Sequence, residues 1–143
     1  EVYIYFVPDG EIMRLLKNKA LSGVDVRLVL PQYPDWAFLY RVTLSNAESL
    51  ISSGVKVYIA DGAFSHGKVM LTENCAIVGS VNMDMRSFYH EYDNAVYTDD
   101  KKVMEEVAQD FEGLFSAGLM QVKKRGFVNA LITAVLKLLS PLM

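Results

Sequence analysis

The sequence predicts an α/β domain with a mixed, mostly parallel sheet that helices flank on both faces. Through residue 60, β-rich apolar runs alternate with segments in which apolar residues recur at helical spacing. A strand, a helix and a second strand of these lengths form a crossover unit, which pairs its strands in parallel and leaves helices on the sheet faces. The chain has 143 residues, of which 52% are hydrophobic and 22% charged, as is typical of one globular domain.

Three strands and two helices are predicted in the first sixty residues. The strands are expected at residues 2–7, 24–30 and 55–60, and the helices at residues 12–21 and 36–53. Gly23 and Gly54 follow the two helices, where a helix commonly ends in a left-handed residue.

A hairpin, a further strand and another helix are predicted after residue 60. The hairpin joins residues 68–71 to residues 76–78 through a polar turn. A strand follows at residues 94–97. Asp100 and its neighbour Asp99 then supply an N-cap and negative charge for a helix that runs to about Ser116, with Gly118 as its C-cap.

Charge and cysteine content exclude several classes of protein. The net charge of −3 makes nucleic acid an unlikely partner, because that affinity depends on many Lys and Arg contacts to phosphates. A single cysteine, Cys75, excludes an internal disulfide and indicates a reducing compartment, and no zinc-ligand spacing surrounds it. The chain opens with Glu1 inside an apolar run rather than with Met, which we interpret as a truncated start.

The C-terminal segment, residues 123–143, is expected to form a basic and apolar helix after a catalytic domain at residues 1–122. It begins with three adjacent cations and continues with the apolar run Phe127 to Met143. This run falls short of the roughly 18 to 20 apolar residues that a membrane-spanning helix needs. Contact with a membrane surface and packing against the rest of the protein both stay open.

The stretch from residue 66 to residue 87 carries the chemistry. His66 and Lys68 are two residues apart, so on a strand their side chains share one face. Ser80 and Asn82 repeat that spacing after the second hairpin strand. Imidazole, ammonium, hydroxyl and carboxamide groups together suit the displacement of a phosphoryl group without a metal.

Several residues of this stretch also have a structural explanation that involves no catalysis. Ser80 or Asn82 alone is explained as the cap of a short helix that starts near Met83. Asp84 and Arg86 alone are explained as a local ion pair. The order and spacing of the whole set favour the functional interpretation.

That order resembles the signature of the phospholipase D superfamily, in which His-x-Lys is followed by an acid and by Gly-Ser-x-Asn. The corresponding residues are His66, Lys68, Glu73, Ser80 and Asn82, and Glu73 stands where the family usually has Asp. The segment from Asn82 to Ser87 is similar to the Asn-x-Asp-x-Arg-Ser extension of bacterial cardiolipin synthases. Further similar stretches are residues 5–9, 23–27, 54–58 and 139–142.

The resemblance implies transfer through a phosphohistidine, with no metal or cofactor. Such active sites combine two His-x-Lys motifs, and this sequence has one, because no Lys lies two residues after His90. His66 is then the acid and base, and an N-terminal half with the first motif supplies the nucleophile. Lys68, Ser80 and Asn82 would hold the phosphoryl oxygens. Glu73 would be mainly structural, and Asp93, in preference to Glu91, would orient an imidazole.

By the same resemblance, the substrates are two phosphatidylglycerol molecules and the products are cardiolipin and glycerol. The implied place is the bacterial cell membrane, with the catalytic domain at its cytoplasmic face, and the isolated segment is expected to be inactive without the other motif. Two alternatives stay open: a homodimeric nuclease or phosphodiesterase of the same superfamily, and a half-domain without catalytic activity.

Overall fold

A computed structural model describes residues 2–3, 6–31, 37–60, 67–116 and 120–121. The strands are β1 (Val2–Tyr3), β2 (Phe6–Val7), β3 (Arg27–Pro31), β4 (Lys56–Ala60), β5 (Lys68–Leu71), β6 (Ala76–Gly79), β7 (Met83–Asp84), β8 (Ala95–Thr98) and β9 (Met120–Gln121). The helices are α1 (Gly10–Leu21), α2 (Ala37–Ile51), α3 (Met85–Tyr89) and α4 (Lys101–Ser116). Gly118 and the predicted helix at residues 123–143 lie outside the described residues.

The strands form a mixed sheet with the order β8-β6-β5-β1-β3-β4-β9, beside a small sheet made of β2 and β7. The α/β class is confirmed. Parallel pairing in the larger sheet joins β1 to β3 and β3 to β4, where helices connect the strands. Its other pairings among the described strands are antiparallel. The sheet is therefore less parallel than predicted, because a tight turn joins β5 to β6 and permits only antiparallel pairing.

Most predicted elements form close to their predicted positions, including the hairpin of β5 and β6. The strand predicted at residues 2–7 is instead divided between the two sheets, since β1 pairs with β3 and β5 whereas β2 pairs with β7. Strands β7 and β9 were not predicted, whereas a short helix that starts near Met83 was, as the alternative explanation of Ser80 or Asn82. The pairing partners of these two strands are distant in the chain, so no local periodicity in the sequence predicts them.

Side-chain caps and glycines define the helix ends. The Asp9 carboxylate accepts a hydrogen bond from the Ile12 amide at 2.9 Å, which starts α1. Asp100 accepts from the amide of Val103 at 3.1 Å and caps α4 as predicted. Gly23 and Gly54, with φ of 89° and 95°, occupy the left-handed region after α1 and α2.

The core lies on both faces of the larger sheet, as the sequence predicts. On one face α1 and α2 pack against a cluster that includes Leu28, Leu50 and Val57, each at most 2% exposed. On the other face Phe111 of α4 packs against Val29. Among the described residues, no helix is long and apolar enough to cross a membrane.

The small sheet ties the N-terminal part of the chain to the region after the hairpin. Phe6 is fully buried and pairs with Met83, which is also in the core. The buried Thr43 hydroxyl donates to the Phe6 carbonyl at 2.9 Å, so α2 is anchored to β2. The start of α3 is consequently fixed to the core through Met83, which lies two residues before the helix.

Strands β6 and β8 approach each other closely at Gly79. A Cβ atom at this position would meet backbone atoms of the neighbouring strand, with the Ala95 Cα at 2.6 Å and the Asn94 carbonyl oxygen nearer still. These backbone atoms can yield only if the strands separate. Glycine at residue 79 therefore permits the present spacing of β6 and β8.

We predict that Gly79→Ala lowers the free energy of unfolding by about 1–3 kcal/mol, because the added methyl group overpacks a backbone contact. The control is Gly113→Ala in α4, where a Cβ meets no atom of the described chain within 4 Å. The control should raise stability by about 0.5–1 kcal/mol through helix propensity. Urea unfolding followed by circular dichroism measures both, and equal stability of Gly79→Ala and the parent chain would contradict the prediction.

Candidate active site

The candidate residues gather at one end of three adjacent strands. Lys68 begins β5 and pairs with Gly79, which ends β6 and pairs in turn with Ala95 at the start of β8. Ser80 follows β6, and Asp93 lies just before β8. Because β5 runs antiparallel to β1, this end of the sheet is also the carboxyl end of the parallel strands. Open α/β sheets commonly bind ligands at that end.

Ser80 and Asp93 are joined directly. The Ser80 hydroxyl donates a hydrogen bond to Asp93 Oδ1 at 2.6 Å and accepts one from the Asn94 amide at 3.1 Å. The Ser80 amide donates to the Asn94 carbonyl at 2.9 Å. The hydroxyl proton of Ser80 is thus directed at Asp93, and it would have to turn away before it could serve a phosphoryl oxygen.

Lys68 supplies the positive charge of the group. It is only 7% exposed, although it lies at a strand end. The Ser80 hydroxyl, and after it the Ser87 hydroxyl, lowers the pKa of Asp93; desolvation opposes them, and the charge of Lys68 assists them. Asp93 is therefore ionised at neutral pH, and its carboxylate lies close enough to the buried Lys68 for the two charges to interact.

Asn82 contributes an amide with an open bonding position. Its Oδ1 atom is buried and has no hydrogen-bond partner within the described part of the chain. Its backbone amide donates to the Ser87 hydroxyl at 3.2 Å. A buried amide that is held by its backbone while its side chain keeps free capacity is suited to receive a ligand.

Glu73 does not join this group. It is exposed in the turn between β5 and β6, two residues beyond Leu71, and the strand from Lys68 to Leu71 alone is about 10 Å long at a rise of about 3.3 Å per residue. There it lines a groove of about 500 Å³ together with Lys19 and Val24, at the opposite end of the sheet. Its position is compatible with a structural role in the hairpin and not with contact to a phosphate at Lys68.

The two histidines of the sequence are His66 and His90. His66 lies outside the described residues, and its position is known only through the sequence, two residues before Lys68. His90 ends α3 and is exposed. Its neighbour Glu91 pairs with Arg86 at 2.7 Å, whereas Asp93 faces Ser80.

The plainer interpretations of the motif are wrong in detail. The short helix does exist, but it begins at Met85 and its cap is Asp84, whose Oδ1 accepts from the Ser87 amide at 2.7 Å. Neither Ser80 nor Asn82 caps it. Arg86 pairs with Glu91 and not with Asp84.

Ser87 is a site residue that the sequence analysis did not single out as chemical. It is 6% exposed and connects Asn82 with the start of α3. The spacing of Asp84 and Ser87, three residues apart at a helix start, is the available signal, since an N-cap side chain commonly bonds the amide at that distance.

The described group could bind a phosphoryl oxygen at Lys68 and orient a neighbouring imidazole through Asp93. Among the described residues, no cluster of three or more His, Cys, Asp or Glu side chains could hold a metal ion.

Comparison with known proteins indicates the family of the chain. The family described as "Cardiolipin synthase, PLD-like domain" matches residues 1–115. The cardiolipin synthase of Geobacillus thermodenitrificans is 38% identical over 97% of this chain and 29% of its own length. That of Listeria welshimeri is 35% identical over 97% of this chain and 30% of its own length. The chain thus spans less than a third of the length of these relatives.

Solved structures share the fold. Nuc from Salmonella typhimurium, a phospholipase D family member, superposes with a TM-score of 0.73 at 19% identity, covering 86% of this chain and 80% of that one. NucT from Helicobacter pylori gives a TM-score of 0.65 at 17% identity, covering 85% of this chain and 80% of its own. With a family match over most of its residues, the chain belongs to the phospholipase D superfamily, within the cardiolipin synthase PLD-like domain family.

Proposed function

We propose that this chain is one catalytic half of a phosphatidyltransferase that condenses two phosphatidylglycerol molecules to cardiolipin and glycerol. The observation that carries the proposal is the buried Lys68 beside the Ser80–Asp93 pair at the carboxyl ends of the strands. In a member of the cardiolipin synthase family, such a group is suited to a phosphodiester substrate.

The reaction proceeds in two displacements. A histidine of the other half attacks the phosphorus atom of the first lipid, a phosphorus–nitrogen bond forms, and the bond to the glycerol headgroup breaks while His66 protonates the leaving oxygen. His66 then removes the proton from a headgroup hydroxyl of the second lipid. That oxygen attacks phosphorus, the phosphorus–nitrogen bond breaks, and cardiolipin is released.

Each described residue has a place in this scheme. Lys68 and the NH2 group of the Asn82 side chain stabilise charge on the phosphoryl oxygens, whereas Asn82 Oδ1, which has no partner among the described residues, can accept only from a donor such as a headgroup hydroxyl. Asp93 orients an imidazole and stabilises its protonated form. Ser80 mainly anchors the Asp93 carboxylate through its hydroxyl. The same hydroxyl would contact a phosphoryl oxygen only after it turns away from Asp93.

The scheme requires a second half that carries the other His-x-Lys motif, because this sequence contains one such pair. Enzyme and lipid would meet at the cell membrane, with the catalytic domain at the cytoplasmic face. We propose the part of the Geobacillus thermodenitrificans relative outside the matched region as the first source to test for such a half.

We predict that this chain alone transfers no phosphatidyl group and that adding a first-motif half restores cardiolipin formation from phosphatidylglycerol vesicles. In the restored enzyme, His66→Asn should abolish turnover. Lys68→Ala should reduce kcat by about a hundredfold or more, because a preorganised charge is lost. His90→Asn is the matched control and should leave kcat unchanged. Thin-layer chromatography of labelled lipid measures the product.

Two results would contradict this proposal. Transfer by a sample of this chain shown to be monomeric would mean that one histidine serves both roles. Hydrolysis of a nucleic acid or another phosphodiester by a homodimer, without cardiolipin formation, would favour the nuclease alternative. A phosphoryl group found on His66 by mass spectrometry would exchange the roles of the two histidines while the proposed function stands.

An exposed apolar surface beside the candidate site suits the contact with the other half. We define it by its exposed side chains on α3, at the start of β8 and in the loop between them: Met85, Phe88, Tyr89, Tyr92 and Val96. Tyr92 is fully exposed, one residue before Asp93. Strand β8 pairs with β6 and forms the edge of the sheet among the described strands. A half that delivers a histidine to Lys68 must cover surface next to Asp93.

We predict that Tyr92→Ser combined with Val96→Lys weakens binding of the first-motif half by about tenfold or more, since aromatic anchors dominate such interfaces. The control is Leu21→Ser, which changes an equally exposed apolar side chain at the end of α1. Titration calorimetry with the purified halves provides the affinity. Unchanged affinity for the double variant would place the interface elsewhere.

The tail at residues 123–143 is proposed to bind the membrane surface. Its three cations each contribute about 1 kcal/mol near an anionic leaflet, and the apolar run offers contact to acyl chains. Deleting residues 127–143 should weaken binding to phosphatidylglycerol vesicles, and added salt should reproduce part of that loss through screening. Vesicle sedimentation measures both. Unchanged vesicle binding together with unfolding or aggregation would identify the segment as a core element instead.

A further inference from the structure

Helix α3 begins in an arrangement that leaves the side chain of Ser87 pointing back toward the candidate site. Asp84 holds the Ser87 amide at 2.7 Å, and Asp84 itself lies in β7, which pairs with β2. Met83, one residue earlier, is buried in the core. The backbone of Ser87 is therefore held by the cap residue Asp84, and Asp84 is held in turn by the pairing of β7 with β2.

The Ser87 hydroxyl reaches the backbone of a site residue. It is buried and accepts a hydrogen bond from the Asn82 amide at 3.2 Å. This bond closes the turn between the end of the hairpin and α3. It fixes the backbone from which the Asn82 side chain projects, so the direction of that carboxamide depends on Ser87.

The same hydroxyl also affects Asp93, on the other side of the site. Ser80 holds Asp93 Oδ1 directly, and Ser87 is the second group that favours the ionised form of this carboxyl, with a lowered pKa as the result. The second carboxylate oxygen, Asp93 Oδ2, is buried and has no hydrogen-bond partner among the described residues, so Ser87 influences Asp93 without a direct hydrogen bond in this structure.

We propose that Ser87 is a positioning residue for phosphoryl transfer: its hydroxyl holds the Asn82 backbone, which sets the direction of the Asn82 carboxamide, and influences the nearby Asp93 carboxylate, without contact to substrate. This inference rests on the proposed function for its kinetic consequence only. Its structural part concerns this chain alone and can be tested separately.

The first experiment uses this chain alone, labelled with carbon-13 and followed by NMR as pH is varied. In Ser87→Ala the pKa of Asp93 should rise toward its ordinary value, and the Asn82 amide proton should exchange with solvent at least about threefold faster, since one hydrogen bond is lost. Ser52→Ala is the control, because the Ser52 hydroxyl likewise bonds a backbone group, in this case by donating to the Glu48 carbonyl, but lies exposed after α2. Unchanged values for Asp93 and Asn82 would overturn the proposal.

The second experiment uses the enzyme restored with the first-motif half. Ser87→Ala should lower kcat by about three- to tenfold with little change in KM, as expected when one hydrogen bond that positions the site is lost. The acid limb of the pH profile should move to higher pH, because Asp93 then protonates at higher pH. Ser87→Thr keeps the hydroxyl and should restore the parent profile. A loss of kcat in which the pH profile stays unchanged would indicate a merely structural role and overturn the proposal.

If Ser87→Ala does not fold, Ser87→Cys replaces it, because a thiol of similar size is a weak donor and acceptor. The cysteine variant should shift the titration of Asp93 in the same direction, and a parent-like titration would count against the proposal. Should the parent enzyme form no cardiolipin at all, the proposed function fails, while the NMR result on the chain alone still decides the role of Ser87.

Discussion

The close approach of β6 and β8 at Gly79 is the constraint on which the candidate site depends. Gly79 has no side chain, and for this reason the end of β6 at Ser80 can lie against the segment that carries Asp93 and Asn94. Pairing of Gly79 with Lys68 on its other side then brings the ammonium group to the same place. Three segments that are distant in the sequence meet through one backbone contact.

Burial of Lys68 gives this contact its electrostatic consequence. A buried ammonium group is costly unless a partner compensates the lost hydration. Asp93 is a nearby carboxylate, and hydroxyl groups around it keep it ionised. In the proposed function, a buried ammonium group near this carboxylate, with hydroxyl and amide groups around them, would be a preorganised environment for a charged phosphoryl group, because little reorganisation is needed when charge develops.

The two ends of the sheet serve different purposes. The end with Lys68 and Asp93 borders the exposed aromatic surface on α3 and β8, where a second half can complete the proposed site. The opposite end carries Glu73 in a solvent-exposed turn. At the same end, the Arg27 guanidinium at the start of β3 lies 5.1 Å from the centre of the Phe115 ring and pairs with Asp25 at 2.9 Å, which connects α4 to β3. These contacts hold α4 against the sheet.

The sequence by itself determined the alternation of strands and helices, the hairpin, the helix ends at Gly23 and Gly54, and the family that the His66 motif indicates. These features are encoded locally, by periodicity, by turn residues and by spacing along the chain. Only the tertiary structure decided that Ser80 holds Asp93, that Asp84 caps α3, that Ser87 supports Asn82, and that Glu73 lies away from the site. It also divided residues 2–7 between two sheets. Each of these outcomes depends on how the chain turns or on which segments pair across the fold, and a one-dimensional pattern carries too little information about such contacts.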